Sequence, residues 1–276
     1  MEKSFVLKVG CVLGLVALLA ACDHRVQTTS GSQYLAGYSG LHSTAGASAG
    51  IDPGIDGGIR AAADVEPQLR FPARLGLARI ENGRLTSVPQ GDAMAWRSLA
   101  ERLGDGYGSF VPVSPLIAAL AVPRDAVDAA GRCSPAYRSC LAQIVHEVRL
   151  GAARQHLDAV LIYETFGKSE ETSNPLAVTK LALIGFFLPT EDVAAEGSAQ
   201  AVLVDVRNGY TYGMASAVAD KPVQRITTSG NSYAVQRAAQ QVAQVRAVEN
   251  LTGEVEAMLR DLRLALAEGR LAGDIR

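Results

Sequence analysis

The sequence predicts an α/β (α+β) domain: a mixed sheet of about six strands covered by helices, with a long C-terminal helix and a flexible N-terminal tether. Three observations carry that prediction. Short apolar runs alternate with helical periods between residues 75 and 165. Then strand patterns follow one another with no helix between them. Finally, residues 233–268 keep one apolar face over many turns.

Leu75–Ile80 reads as the first strand. Asp92 is placed to cap a helix on which Trp96, Leu99 and Leu103 share a face. The Gly104-Asp105-Gly106-Tyr107-Gly108 loop ends it, and Phe110–Val113 is the next strand. Ser114-Pro115 opens a short helix to about Ala121, with serine as the cap and proline at the first helical position. The loop 123–135 leads to a longer helix ending near His156, striped with Leu141, Ile144, Val145, Val148 and Ala152. Ala159–Thr165 reads as a strand that opens on the continuous apolar run Ala159–Tyr163, as a strand buried on both faces should. Thr179–Leu188, Ala199–Val206 and Tyr210–Ala219 are then three strands in succession. Asn208-Gly209 has the composition of a type I′ hairpin turn. The last helix carries Val242, Val245, Val248, Val255, Leu259, Leu262 and Leu266 along one face.

The N-terminus speaks about location. Lys3 and Lys8 precede the apolar run Val9–Leu19, and Leu19-Ala20-Ala21-Cys22 follows. The run is too short for a mature membrane span and has the form of a signal peptide, residues 1–21. Cys22 at the first mature position resembles the bacterial lipoprotein signal, in which the thiol carries a diacylglyceryl group and the freed amine a further acyl chain such as palmitate. Two or more chains anchor stably. The expected layout is a lipidated Cys22 with a Gly- and Ser-rich tether over residues 22–68, then one α/β domain over 69–276. As free coil the tether would span roughly 35–40 Å. Tyr34, Leu35, Tyr38 and Leu41 are its apolar cluster. Asp23 resembles the inner-membrane retention signal of enterobacterial lipoproteins, and His24 weakens it. The expected location is periplasm-facing and lipid-anchored, with the inner membrane favoured over the outer.

Composition excludes some partners. Without residues 1–21, which hold Lys3, Lys8 and Glu2, 24 basic and 27 acidic residues remain, a net charge of −3. No basic stripe of the kind that binds nucleic acid is present. Besides Cys11 in the signal and Cys22, only Cys133 and Cys140 remain, and in an exported chain the simplest expectation for them is a disulfide. Neither has zinc-spaced ligands around it, and no metal or cofactor is expected.

Catalytic motifs are weak. Gly46-Ala47-Ser48-Ala49-Gly50 matches G-x-S-x-G but lies in the tether with no strand before it. Gly167-Lys168-Ser169 has Ile162 where a phosphate loop needs its first glycine. His146-Glu147 begins H-E-x-x-H, but Leu150 holds the second histidine position, and His146 and His156 read as helix-surface residues. Asp158, Glu164 and Asp205 are the acids at or in strands. As a pair they could act as acid and base in hydrolysis; as structural groups, Asp158 would hydrogen-bond a helix end and Asp205 would brace the following turn.

Arg74-Leu75-Gly76-Leu77-Ala78-Arg79-Ile80, Leu157-Asp158-Ala159-Val160-Leu161-Ile162-Tyr163-Glu164 and Ala201-Val202-Leu203-Val204-Asp205-Val206-Arg207-Asn208-Gly209 together resemble the rhombotarget lipoproteins of the bacterial envelope. In outline the chain is also similar to the periplasmic α/β domains of the curli-secretion lipoprotein and of the Tol-Pal translocation protein B. The resemblance implies an assembly or transport role among envelope proteins and no catalytic residues. The expected function is therefore a non-enzymatic, membrane-anchored binding component. The alternatives are a periplasmic hydrolase using carboxylates such as Asp158 and Asp205, and a small-ligand-binding lipoprotein.

Overall fold

In the computed structural model the described residues are 24–39, 57–121, 137–173, 191–227 and 232–274. They form strands β1 (His24–Val26), β2 (Ala73–Glu81), β3 (Arg84–Thr86), β4 (Gly108–Pro112), β5 (Ala159–Ser173), β6 (Glu191–Asp205), β7 (Thr211–Val218) and β8 (Val223–Thr227). The helices are α1 (Gly31–Ser39), α2 (Gly57–Ala63), α3 (Gln90–Leu103), α4 (Pro115–Ala121), α5 (Tyr137–Arg154) and α6 (Ser232–Asp274).

The strands build one mixed sheet in the order β1-β7-β6-β5-β2-β3, with β4 also on β2 and β8 also on β6. β2 runs parallel to β4 and β5, and the remaining pairs are antiparallel. The parallel pairs need crossovers, and α3 and α4–α5 supply them. The alternation of β5 sends Leu161 and Tyr163 to one face and Val160 and Ile162 to the other, and all four are buried. On the first face, Leu75, Leu77, Leu161 and Leu203 meet Trp96 and Leu99 of α3 and Leu251, Val255, Met258 and Leu262 of α6. On the second face, Ala78, Ile80, Val160 and Ile162 meet Ile144, Val148 and Ala152 of α5. Each fully buried Leu or Met contributes about 1.5–3 kcal/mol of transfer free energy, so these two cores hold the three layers together.

Local signals account for the element ends. Ser114 Oγ accepts from Ile117 N at 3.4 Å and its carbonyl from Ala118 N at 3.0 Å, as the Ser114-Pro115 start of α4 requires. Gly104, at φ 71°, closes α3 by donating to Ala100 O.

Several expectations change. No disulfide joins Cys133 and Cys140: no two of the chain's four cysteines bring their sulfurs to bonding distance. Cys140 lies within α5, which begins at Tyr137; Cys133 lies outside the described residues. Asp92 is not a helix cap. Pro89 stands at the N-cap without a side-chain bond, and Asp92 sits inside the first turn, 2% exposed. The Asn208-Gly209 turn is not type I′, which needs positive φ at both central residues. Only Gly209 has it, at 80°, and the loop is wider, with Gly209 N donating to Asp205 O at 3.1 Å. On α6, Val242 is exposed, and Ala239, Ala243 and Ala247 are the buried residues of that stretch.

Parts of the segment 22–68 belong to the domain. β1 pairs with β7, Arg25 opposite Met214. Gln27 N donates to Tyr212 O at 2.7 Å, and Tyr210 Oη to Thr29 O at 2.8 Å. Gly31 N donates to Val65 O at 3.0 Å, at a spot where any Cβ on residue 31 would run into Ala63 O. The Thr179–Leu188 strand, the loop 123–135, Leu41 and the Gly46–Gly50 motif lie outside the described residues.

Candidate functional site

The sheet brings Asp158 and Asp205 to one corner, at the N-terminal ends of β2 and β5. Asp158 gives one carboxylate oxygen to the fold and Asp205 gives both. Asp158 does not bond the helix end; its Oδ2 accepts from Arg74 N at 2.9 Å, while its own N donates to Arg74 O at 2.9 Å and its carbonyl accepts from Val206 N at 3.1 Å. It therefore stitches β2 to β5 and to the loop after β6. Asp205 does brace its turn. Its Oδ1 accepts from Arg207 N at 2.8 Å, and its Oδ2 accepts from Tyr212 Oη at 2.7 Å. It is fully buried, and the Arg207 guanidinium lies 3.4 Å away. Tyr212 Oη in turn accepts from Gln68 N at 2.9 Å and Leu69 N at 2.7 Å. Burial, reinforced by the Asp205 carboxylate, pushes the Tyr212 hydroxyl well above its usual range. The chain Asp205–Tyr212–Leu69 fixes the segment entering β2.

A second polar cluster sits at the opposite end of the same strands. Arg79 Nη1 donates to Asp92 Oδ2 at 3.1 Å, and Tyr163 Oη donates to the same oxygen at 2.9 Å. Arg79 Nη2 reaches Thr165 Oγ1 at 3.4 Å and stands 3.8 Å from Glu81. Trp96 packs edge-on to Tyr163, ring centroids 5.2 Å apart. Arg79 Nε and Trp96 Nε1 have no protein partner. Burial raises the Asp92 carboxyl above its ordinary value despite the opposing pull of Arg79 and Tyr163. Burial first, then Asp92, keeps the Tyr163 phenol protonated. With Arg79, Asp92 and Tyr163 all under a tenth exposed, this cluster holds α3 against β2 and β5 and offers no access to a substrate. The sequence carried one sign of it: Arg79 shares the core-facing parity of Leu75 and Leu77.

The most apolar of the open features is a groove of about 530 Å³ on the α5 face of the sheet, over the C-terminal half of the β2–β5 pair. Ile80, Ile162, Val202 and Met214 line it, with Glu164 and Arg25 as its charged groups. Ligands of α/β sheets bind at this end of parallel strands, and the volume suits a small molecule. Burial raises the Glu164 carboxyl, against a hydrogen bond from Gln200 that lowers it. Of the three acids, Glu164 lines this groove, while Asp158 lines a separate pocket of about 760 Å³ beside Arg207 and Gln68.

Other sequence motifs hold no chemistry here. Gly167-Lys168-Ser169 is extended within β5, with Lys168 Nζ 2.6 Å from Glu170. His156 takes a left-handed φ of 57° where α5 ends. Among the described residues no group of three or more His, Cys, Asp and Glu side chains could hold a metal ion, and no helix is long and apolar enough to cross a membrane.

No protein-family profile matches the chain, and no curated protein matches it in sequence. Among solved structures, it is similar to the PelC L103M dodecamer from Paraburkholderia phytofirmans at 13% identity, covering 64% of this chain and 88% of that one, with a TM-score of 0.24. A likeness at that score carries no argument about fold or function.

Proposed function

We propose that this chain is a bacterial envelope lipoprotein, anchored through Cys22 and facing the periplasm, whose α/β domain binds another envelope component without catalysing a reaction. The observation that carries the proposal is the string Leu19-Ala20-Ala21-Cys22 behind a basic, apolar leader. The resemblance to rhombotarget and related envelope lipoproteins belongs to the same proposal, as does inner-membrane retention through Asp23. The bracing role of both carboxylates supports binding over hydrolysis: Asp205 is fully buried with both oxygens bonded, and Asp158 gives its Oδ2 to Arg74 N. The test is photo-crosslinking of the full chain in its native envelope, followed by identification of the joined proteins. Recovery of one envelope protein, unchanged by Asp158→Asn, supports the assignment; loss of cellular function in a normally folded Asp158→Asn variant favours the hydrolase.

A second reading rests on the groove. Its apolar wall and the raised Glu164 carboxyl would suit a small apolar molecule with a polar end. A ligand that co-purifies with the domain and is lost in a Met214→Arg variant would favour that reading.

A further inference from the structure

We infer that the β1–β7 edge of the sheet is a membrane-contacting surface, and that its partner is the lipid headgroup layer itself. The inference rests on the proposed lipidation of Cys22 and goes further, because it fixes where the bilayer lies against the domain.

Chain length carries the argument. Only Asp23 stands between Cys22 and β1. Two residue steps of extended chain reach about 7 Å. That is far shorter than the roughly 35–40 Å that a free coil over residues 22–68 would give.

The strand after that short link is held in place. β1 pairs with β7 over three residues. Inside the domain, His24 Nε2 lies 3.0 Å from Asp261 and Nδ1 3.3 Å from Glu254, both on α6. Behind it, Gln27, Thr29 and Gly31 bond to Tyr212, Tyr210 and Val65. The chain leaving the lipid therefore enters the sheet at once.

The surface at that point suits the headgroup layer. β1 is the last strand on its side of the sheet, and no described strand covers its outer edge. Arg25, Val26 and Met214 are exposed there. Arg25 lies opposite Met214 on one face of the edge and Val26 points to the other face, a cation with apolar side chains along one edge that phosphate headgroups and the upper acyl region accommodate. β3 is at the far edge, five strand spacings or about 24 Å away. The sheet should therefore stand with β1 at the bilayer and β3 towards the periplasm.

The experiment uses the full lipidated chain, made in cells and reconstituted into phosphatidylethanolamine–phosphatidylglycerol vesicles that contain a headgroup-spin-labelled lipid. A fluorophore is attached at Arg25→Cys or at Arg84→Cys, in a Cys133→Ser, Cys140→Ser background. Both positions are exposed, so neither substitution disturbs a core. Mass spectrometry of the N-terminal peptide confirms the acyl chains. Severalfold stronger quenching at position 25 than at position 84 is the expected result. Weak, equal quenching at both positions of a lipidated protein would overturn the inference and leave the lipoprotein assignment standing. An unmodified Cys22 would overturn both.

Discussion

Asp92→Ala should be among the most damaging single substitutions on the α3 face of the sheet. Asp92 is 2% exposed and Arg79 7%, with 3.1 Å between their charged atoms. Removing the acid leaves a buried guanidinium without its main counter-charge, which costs about 3–5 kcal/mol. It also strips the Tyr163 hydroxyl of its acceptor, a loss already contained within that range. For a domain of this size each kcal/mol lowers Tm by about 2–4 °C, so the drop should be about 6–20 °C. The raised Asp92 carboxyl adds a sign. A group whose folded pKa lies above its unfolded value favours folding below the unfolded pKa, and that contribution is lost as pH rises through the folded pKa. At neutral pH burial of this charge is therefore not fully repaid by Arg79. The double variant Arg79→Met, Asp92→Leu should accordingly lie within about 1 kcal/mol of the parent, or above it. Urea unfolding of the two single variants and the double variant closes the cycle. A loss below about 1 kcal/mol in Asp92→Ala, or additive single effects, would refute the reasoning.

Two further predictions follow from contacts with α6. The bonds to Asp261 and Glu254 raise the His24 pKa above its ordinary 6.5, with burial opposing. This contribution is fully present below the unfolded pKa and fades as pH rises through the folded value. The stability gap between the parent and His24→Gln should thus be larger near pH 6 than near pH 8, read by thermal melts, and a pH-independent gap would contradict the contact. Gly197 of β6 passes so close to α6 that an added Cβ would collide with Ala243 O. Gly197→Ala should cost about 1–3 kcal/mol by chemical denaturation, whereas Gly253→Ala, with open space around it, should cost nothing or stabilise.

The sequence made some parts of this fold legible and hid others for physical reasons. The strand from Ala159 was visible because a segment buried on both faces is apolar without a break, and β5 holds five consecutive buried residues from Ala159 to Tyr163. The short helix after Ser114-Pro115 was visible because its signal is local. The role of Asp92 was hidden, because an acid in the first turn of a helix reads as a cap, while its true partners, Arg79 and Tyr163, lie 13 and 71 residues away. The packed face of α6 was misplaced at its start because Gly197 brings β6 so near that alanines, not valines, fit there. β1 was missed because three residues inside a Gly- and Ser-rich stretch carry no period; only pairing with β7 defines them. Of the candidate acids, the sequence foresaw the bracing role of Asp205. It named Glu164 but gave no reason to set it over the groove, since that placement depends on how β2, β5, β6 and β7 align.

In the proposed assignment Cys22 carries the membrane anchor. Cells fed a radiolabelled fatty acid, expressing either the parent chain or Cys22→Ala, test it most directly. Label on the parent protein in the membrane fraction, with neither label nor membrane retention in the variant, is the expected outcome. Equal labelling and retention of both proteins, or an unlabelled parent whose N-terminal peptide lacks acyl mass, would contradict it.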